Sequence, residues 1–131
     1  MILVDTSIWI DHFRSGNAAL AHLLDNSAVF AHPWVTGELA LGNLSHREEV
    51  IGLLHGLPQA TVAENDEVLR LIEQTVLYGA GIGYVDAQLL AATRLTPDTT
   101  LWTRDKRLST VTARLGLSFQ PTPHPTPHPT S

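Results

Sequence analysis

The sequence predicts an α/β domain, a three-layer sandwich in which a central, mostly parallel sheet is flanked by helices. Three observations carry that expectation. Short apolar runs rich in β-branched and aromatic residues alternate with segments of helical periodicity. Turn-forming residues separate them. The chain has 131 residues, 44% hydrophobic and 16% charged, which suits one core-forming domain.

The elements follow in order. Ile2-Leu3-Val4 reads as a buried strand ending at Asp5. Thr6 or Ser7 can cap the helix that carries Ile8, Trp9 and Phe13. Residues 17–26 place Leu20, Leu23 and Leu24 at helical spacing, and residues 28–31 read as a second strand. Pro33 suits the first turn of a helix reaching about Leu44, and a further helix covers about 47–54. A short strand is expected at 60–62. Residues 64–78 give an amphipathic helix with Val68, Leu69, Leu71, Ile72 and Val76, broken by Gly79, Gly81 and Gly83. A helix over 84–95, a turn at Pro97-Asp98, a strand at 100–103, a helix over 105–115 and an edge strand at 117–119 complete the domain. Trp9, Phe13, Phe30 and Trp34 read as core or dimer packing.

The domain is expected to span 1–120. Residues 121–131 hold five of the eight prolines and repeat Thr-Pro-His-Pro, so polyproline II or disorder is expected there. His124 and His128 on such a segment make a poor metal site.

Composition excludes several classes. The absence of cysteine rules out disulfides, thiolate zinc sites and a cysteine nucleophile, and it agrees with a cytoplasmic setting. No apolar run approaches the ~20 residues that span a bilayer, and Met1-Ile2-Leu3-Val4-Asp5 lacks the basic start of a signal peptide. The net charge of −5 makes nucleic acid an unexpected partner by bulk charge. A nucleic-acid site must therefore be local.

Ligands of parallel sheets collect beyond the carboxyl ends of the strands. Asp5 and Asp105 fall there, although an Asp after a strand also reads as a helix N-cap. Glu38 shares a helix face with Trp34, Val35 and Leu41, with no Lys or Arg between Arg14 and Arg47 to pair it. A carboxylate buried on that face has to be ion-paired at long range, protonated or bound to a cation. Asp86 opens its helix, where capping competes with a site role. Carboxylates that converge need a divalent cation between them, and oxygen-only ligation selects Mg²⁺ or Mn²⁺ over zinc. Arg104, Lys106, Arg107 and Arg114 place half of the eight basic residues around Asp105, where they can follow phosphates or form a solvated helix face. The glycines at 79, 81 and 83 lack the Lys-Ser/Thr of a phosphate loop and read as a turn.

Four segments carry a resemblance. Asp5-Thr6-Ser7-Ile8-Trp9-Ile10-Asp11, His32-Pro33-Trp34-Val35-Thr36-Gly37-Glu38-Leu39-Ala40, Gly81-Ile82-Gly83-Tyr84-Val85-Asp86-Ala87 and Trp102-Thr103-Arg104-Asp105-Lys106-Arg107-Leu108 resemble, in order and spacing, the PIN-domain family. They look most like its VapC-type toxins of bacterial toxin–antitoxin pairs. The resemblance covers residues 1–117. It implies a metal-dependent endoribonuclease in which Asp5, Glu38, Asp86 and Asp105 surround one or two Mg²⁺ or Mn²⁺ ions, with Thr6 or Ser7 and Thr103 as accessory polar groups. Lys106 and Arg107 stand where some members carry a further acid. The resemblance also implies a small antitoxin whose C-terminal segment fills the cleft, an RNA substrate such as tRNA or rRNA, and a homodimer. Two other readings stay open: a PIN-like module that binds RNA or protein without cutting, and an aspartate-nucleophile phosphatase, which wants an acid where this chain has Ser7.

Overall fold

Ile2, Leu3 and Val4 form β1 (Ile2–Val4), all three buried. A strand covered on both faces must be apolar throughout, which is why this run does not alternate. β2 (Val29–Phe30) and β3 (Thr100–Trp102) pair with it in parallel, one on each side, in the order β2-β1-β3. Ile2 stands opposite Val29 and Thr100, and Val4 opposite Trp102. The computed structural model describes residues 1–121. The expectations for the tail, including His124 and His128, fall almost wholly outside the described residues.

Seven helices are seen among the described residues: α1 (Thr6–Ser15), α2 (Ala18–Asp25), α3 (Pro33–Leu41), α4 (Arg47–Gly56), α5 (Asn65–Thr75), α6 (Tyr84–Leu95) and α7 (Lys106–Arg114). The α/β class and the helix order agree with the sequence reading. No helix among the described residues is long and apolar enough to cross a membrane.

Two expected strands shrink to single parallel bridges. Next to the segment expected at 60–62, only Gln59 stands opposite Ala31, held by Ala31 N–H to the Pro58 carbonyl at 2.8 Å and Ala60 N–H to the Ala31 carbonyl at 2.9 Å. Pro58 has no N–H, so the ladder cannot lengthen through it. The segment expected at 117–119 contributes Ser118 opposite Leu101. Helix α5 stops at Thr75, three residues earlier than its apolar pattern suggests. Val76 turns left-handed there (φ 55°), and Leu77 N–H returns to the Ile72 carbonyl at 3.0 Å. Helix α3 likewise ends at Leu41, ahead of Gly42.

Helix α6 is buried over seven consecutive residues, Ala87 through Thr93. Such a helix can carry hydroxyls only if they are satisfied. Thr93 donates to the Leu89 carbonyl at 2.7 Å, and Thr96 just beyond the helix donates to the Ala92 carbonyl at 2.6 Å. Trp9 is fully buried and stacks on Phe13 with ring centroids 5.7 Å apart. Trp34 lies outside the core: it is 42% exposed and meets Tyr84 edge to face.

The sheet order fixes where a site can form. The chain leaves β1 for β2 on one side and later returns to β3 on the other. Loops after β1 and β3 therefore part in opposite directions and leave a crevice beyond their carboxyl ends. Asp5 N–H donates to the Trp102 carbonyl at 3.0 Å, holding the two strands together at its floor.

Candidate active site

Asp5 is the N-cap of α1 and is only 6% exposed. Its Oδ2 accepts from Ser7 Oγ at 2.7 Å, from Thr103 Oγ1 at 2.8 Å and, at longer range, from Ser7 N–H at 3.4 Å. Each hydroxyl that donates to Asp5 still has lone pairs. Ser7 Oγ accepts from Arg104 N–H, and Thr103 Oγ1 accepts from Asp105 N–H, both at 3.0 Å. The ends of β1 and β3 are thus laced together through one carboxylate oxygen. Ser7 holds the position that an aspartate-nucleophile phosphatase would give to an acid, and its hydroxyl is committed to this network.

Asp105 caps α7, its Oδ1 accepting from Leu108 N–H at 2.9 Å. Asp86, half-buried in the first turn of α6, accepts Gly83 N–H through Oδ2 at 3.0 Å. The capping reading and the site reading do not compete, because a carboxylate has two oxygens. One oxygen of each aspartate anchors a backbone. Asp5 Oδ1, Asp86 Oδ1 and Asp105 Oδ2 accept no hydrogen bond among the described residues.

Glu38 is positioned differently from expectation. It is exposed on α3, as are Trp34 and Leu41, the latter 91% exposed. Of the face taken as buried from the sequence, Val35 alone is in the core; Trp34, Glu38 and Leu41 stand open. Neither an ion pair nor burial holds the carboxylate; Thr6 Oγ1 donates to its Oε1 at 2.7 Å. Residue type at four-residue spacing cannot distinguish an apolar face turned to the core from one turned to solvent. His32, missed by the sequence reading, sets the helix itself. It is fully buried and its Nδ1 accepts Trp34 N–H at 3.1 Å, capping α3. Burial pushes its pKa down to about 4, so the imidazole is neutral and keeps that acceptor at physiological pH.

The Asp5, Asp105 and Glu38 carboxylates lie near enough to Asp86 for their charges to act on it. The Asp86 carboxyl is raised above its ordinary value first by burial and then by the charges of Asp5, Asp105 and Glu38, against a lowering by the Gly83 hydrogen bond. No group of three or more His, Asp or Glu among the described residues is close enough to hold a metal ion as the side chains stand. The donor set nevertheless has the chemistry of a hard-cation site, with oxygen ligands only and one uncommitted oxygen on each acid. Glu38 and Asp105 are exposed.

The four basic residues separate. Arg104 forms an ion pair with Asp11 on α1. Arg107 lies over Gly81, whose backbone is left-handed (φ 78°) and where an added Cβ would meet the arginine Cδ at 2.9 Å. Arg114 makes contacts that the sequence reading did not include. Its guanidinium donates to the Thr75 carbonyl at 2.8 Å and, more weakly, to the Val76 carbonyl at 3.4 Å. It thereby caps α5 where the chain makes its strained left-handed turn. Lys106 is exposed at the start of α7 and has no polar partner among the described residues.

The crevice at the carboxyl ends of a parallel sheet, edged by acids from four elements, defines a class. A PIN-domain family model matches residues 2–113, and the chain belongs to the PIN-domain family. Among its relatives is the protein named Ribonuclease VapC32 of Mycobacterium tuberculosis, found in two strains. Each is 48% identical over 118 residues, covering 90% of this chain and 95% of the relative. The resemblance drawn from the four motifs, including its VapC-type character, is borne out.

Proposed function

We propose that this chain is the endoribonuclease toxin of a toxin–antitoxin pair, and that Asp5, Glu38, Asp86 and Asp105 hold one or two Mg²⁺ or Mn²⁺ ions. The relative's name, Ribonuclease VapC32, supports the activity. The observation that carries the site is the anchoring of all four acids by one oxygen each, around a space where their charges act on Asp86. A divalent cation there would polarise a phosphate and make a nearby water a stronger nucleophile. The chain's own residues do the positioning. Asp5 is fixed by Ser7 and Thr103, and Thr6 orients Glu38 toward the crevice. Lys106 beside Asp105, with Arg107, offers positive charge for the flanking phosphates while the far surface stays acidic.

A hollow of about 550 Å³ between α1, α3 and α4 is lined by Ile10, Phe13, Leu39 and Val50, and it reaches Glu38. Its apolar wall and acidic end suit the C-terminal segment of a small antitoxin that carries a basic residue. A homodimer is also proposed. Leu69, Val76 and Tyr78 are about half exposed on α5 and its exit, apolar surface that a second copy can cover. Light scattering at micromolar concentration should then give about twice the 14.3 kDa chain mass.

Incubating the purified chain with total RNA tests the activity. Cleavage is expected with added Mg²⁺ or Mn²⁺ and none in excess EDTA. Undiminished cleavage in EDTA would overturn the metal assignment. Absence of cleavage under every metal condition would overturn the nuclease reading.

A further inference from the structure

Arg104 stands between two groups of the acidic site, Thr103 and Asp105, and α1 grips it twice. Ser7 and Asp11 are four positions apart on α1 and so share one face of the helix. Ser7 Oγ accepts the Arg104 backbone N–H at 3.0 Å. One helical turn further on, Asp11 Oδ1 pairs with the Arg104 guanidinium. The residue is thereby held at its backbone and at the tip of its side chain, both by the helix that Asp5 caps.

Asp11 is held in turn. Asn17 Oδ1 accepts Leu20 N–H at 3.0 Å, which fixes the amide and directs its Nδ2 to Asp11 Oδ2 at 3.1 Å. Asn17 is itself tied back to α1, its N–H donating to His12 Nδ1 at 3.0 Å. Each Asp11 oxygen therefore has a partner. An ion pair whose arginine side chain is 59% exposed adds little to stability. What it restricts is the turn between β3 and α7. That turn carries Thr103 Oγ1, which donates to Asp5 Oδ2 and accepts Asp105 N–H. A backbone shift at Arg104 breaks its bond to Ser7 and strains those of Thr103, and so disturbs two of the four acids.

We propose that Arg104 is a positioning residue of the acidic site and not a phosphate contact, with Asp11 as the counter-ion that holds it. The sequence reading offers Arg104 to phosphates together with Lys106 and Arg107. The ion pair separates it from them, because a guanidinium neutralised by Asp11 has little charge left to offer a backbone phosphate, whereas Lys106 has no polar partner among the described residues. Arg104 acts through Ser7 and Thr103 on Asp5, and through the Thr103 hydroxyl on the backbone of Asp105. The proposal rests on the ribonuclease reading for its reaction and on the four acids as cation ligands.

The two roles predict opposite results for Asp11→Asn. Were Arg104 a phosphate contact, loss of its counter-ion would free the guanidinium, tighten RNA binding and lower KM. As a positioning pair, Asp11→Asn and Arg104→Ala should each lower kcat about tenfold on a short single-stranded RNA that the parent cuts, with KM near the parent's. Calorimetric titration with Mn²⁺ alone, without RNA, should show metal affinity weakened about tenfold in each, the scale for partners that orient metal ligands. The double variant should be no worse than either single one, since all three lose the same interaction. Arg104→Lys keeps a cation within reach of Asp11 and should retain most of the Mn²⁺ affinity. Circular dichroism should show all of them folded, because the pair lies at the surface. Mn²⁺ affinity at the parent's value in both single variants would overturn the proposal. So would an Arg104→Ala variant with raised KM and a salt slope of RNA binding reduced by about one, the mark of a lost phosphate contact. A parent that binds Mn²⁺ but cuts no RNA would instead sink the ribonuclease reading, and the Mn²⁺ titrations would still decide the role of Arg104.

Discussion

Asp5→Asn is expected to lower RNA cleavage by roughly 10³-fold, since charge stabilisation by a cation is worth several kcal/mol and each ~1.4 kcal/mol is tenfold. Asp5 is the one buried acid of the four, and three donors converge on its Oδ2. Asparagine can turn its single carbonyl oxygen toward Ser7 and Thr103. The amide nitrogen then occupies the place of Oδ1, where a cation requires an anionic oxygen. The variant also exchanges charge-assisted hydrogen bonds for neutral ones, a loss of about 1–2 kcal/mol that leaves the domain folded. Circular dichroism should show the parent's helix content and a melting temperature lower by roughly 5 °C. A variant that cleaves RNA at the parent's rate would remove Asp5 from the site.

Asp86→Asn should abolish cleavage to a similar degree while making the metal-free protein more stable, so that activity and stability move apart. The Asp86 carboxyl is raised by burial and then by Asp5, Asp105 and Glu38. A folded-state pKa above the unfolded value means that the native protein holds a proton which the unfolded chain has already released. The metal-free parent therefore loses stability as pH rises from the ordinary value of 3.8 through the raised one, and asparagine has no proton to lose. Asparagine also keeps an oxygen for Gly83 N–H. In EDTA the two proteins should melt nearly together at pH 3 and separate as pH rises. At pH 7 the variant should melt above the parent. Added Mn²⁺ should raise the parent's melting temperature and raise the variant's far less, because a ligand stabilises in proportion to occupancy. A variant less stable than the parent in EDTA by the same margin at pH 3 and pH 7 would make Asp86 a helix anchor alone.

Much of this was legible in the chain. Three consecutive apolar residues closed by Asp5 specify a central parallel strand, because only a strand covered on both faces is apolar at every position. The strand ends also located Asp5 and Asp105, since the chain direction of a parallel sheet sends all its carboxyl ends to one side. The pairing partners at the sheet edges were less legible. Gln59 and Ser118 make one bridge each, and local pattern does not specify how far a ladder runs beyond a proline or at an edge.

What the sequence by itself determined is therefore the class of fold and the order of its elements, and from these the strand ends at which Asp5 and Asp105 stand. Local rules of strand, cap and turn act on residues close in sequence, so they can be read without coordinates. The tertiary structure alone decided how each acid is held and which face of α3 is open. Glu38 was singled out as a buried carboxylate, yet it is exposed and tied to Thr6, 32 positions away. Arg114, read from the sequence as a phosphate contact, caps a helix that ends 39 positions earlier. Such pairings arise only when separate segments are packed together and their polar groups must find partners.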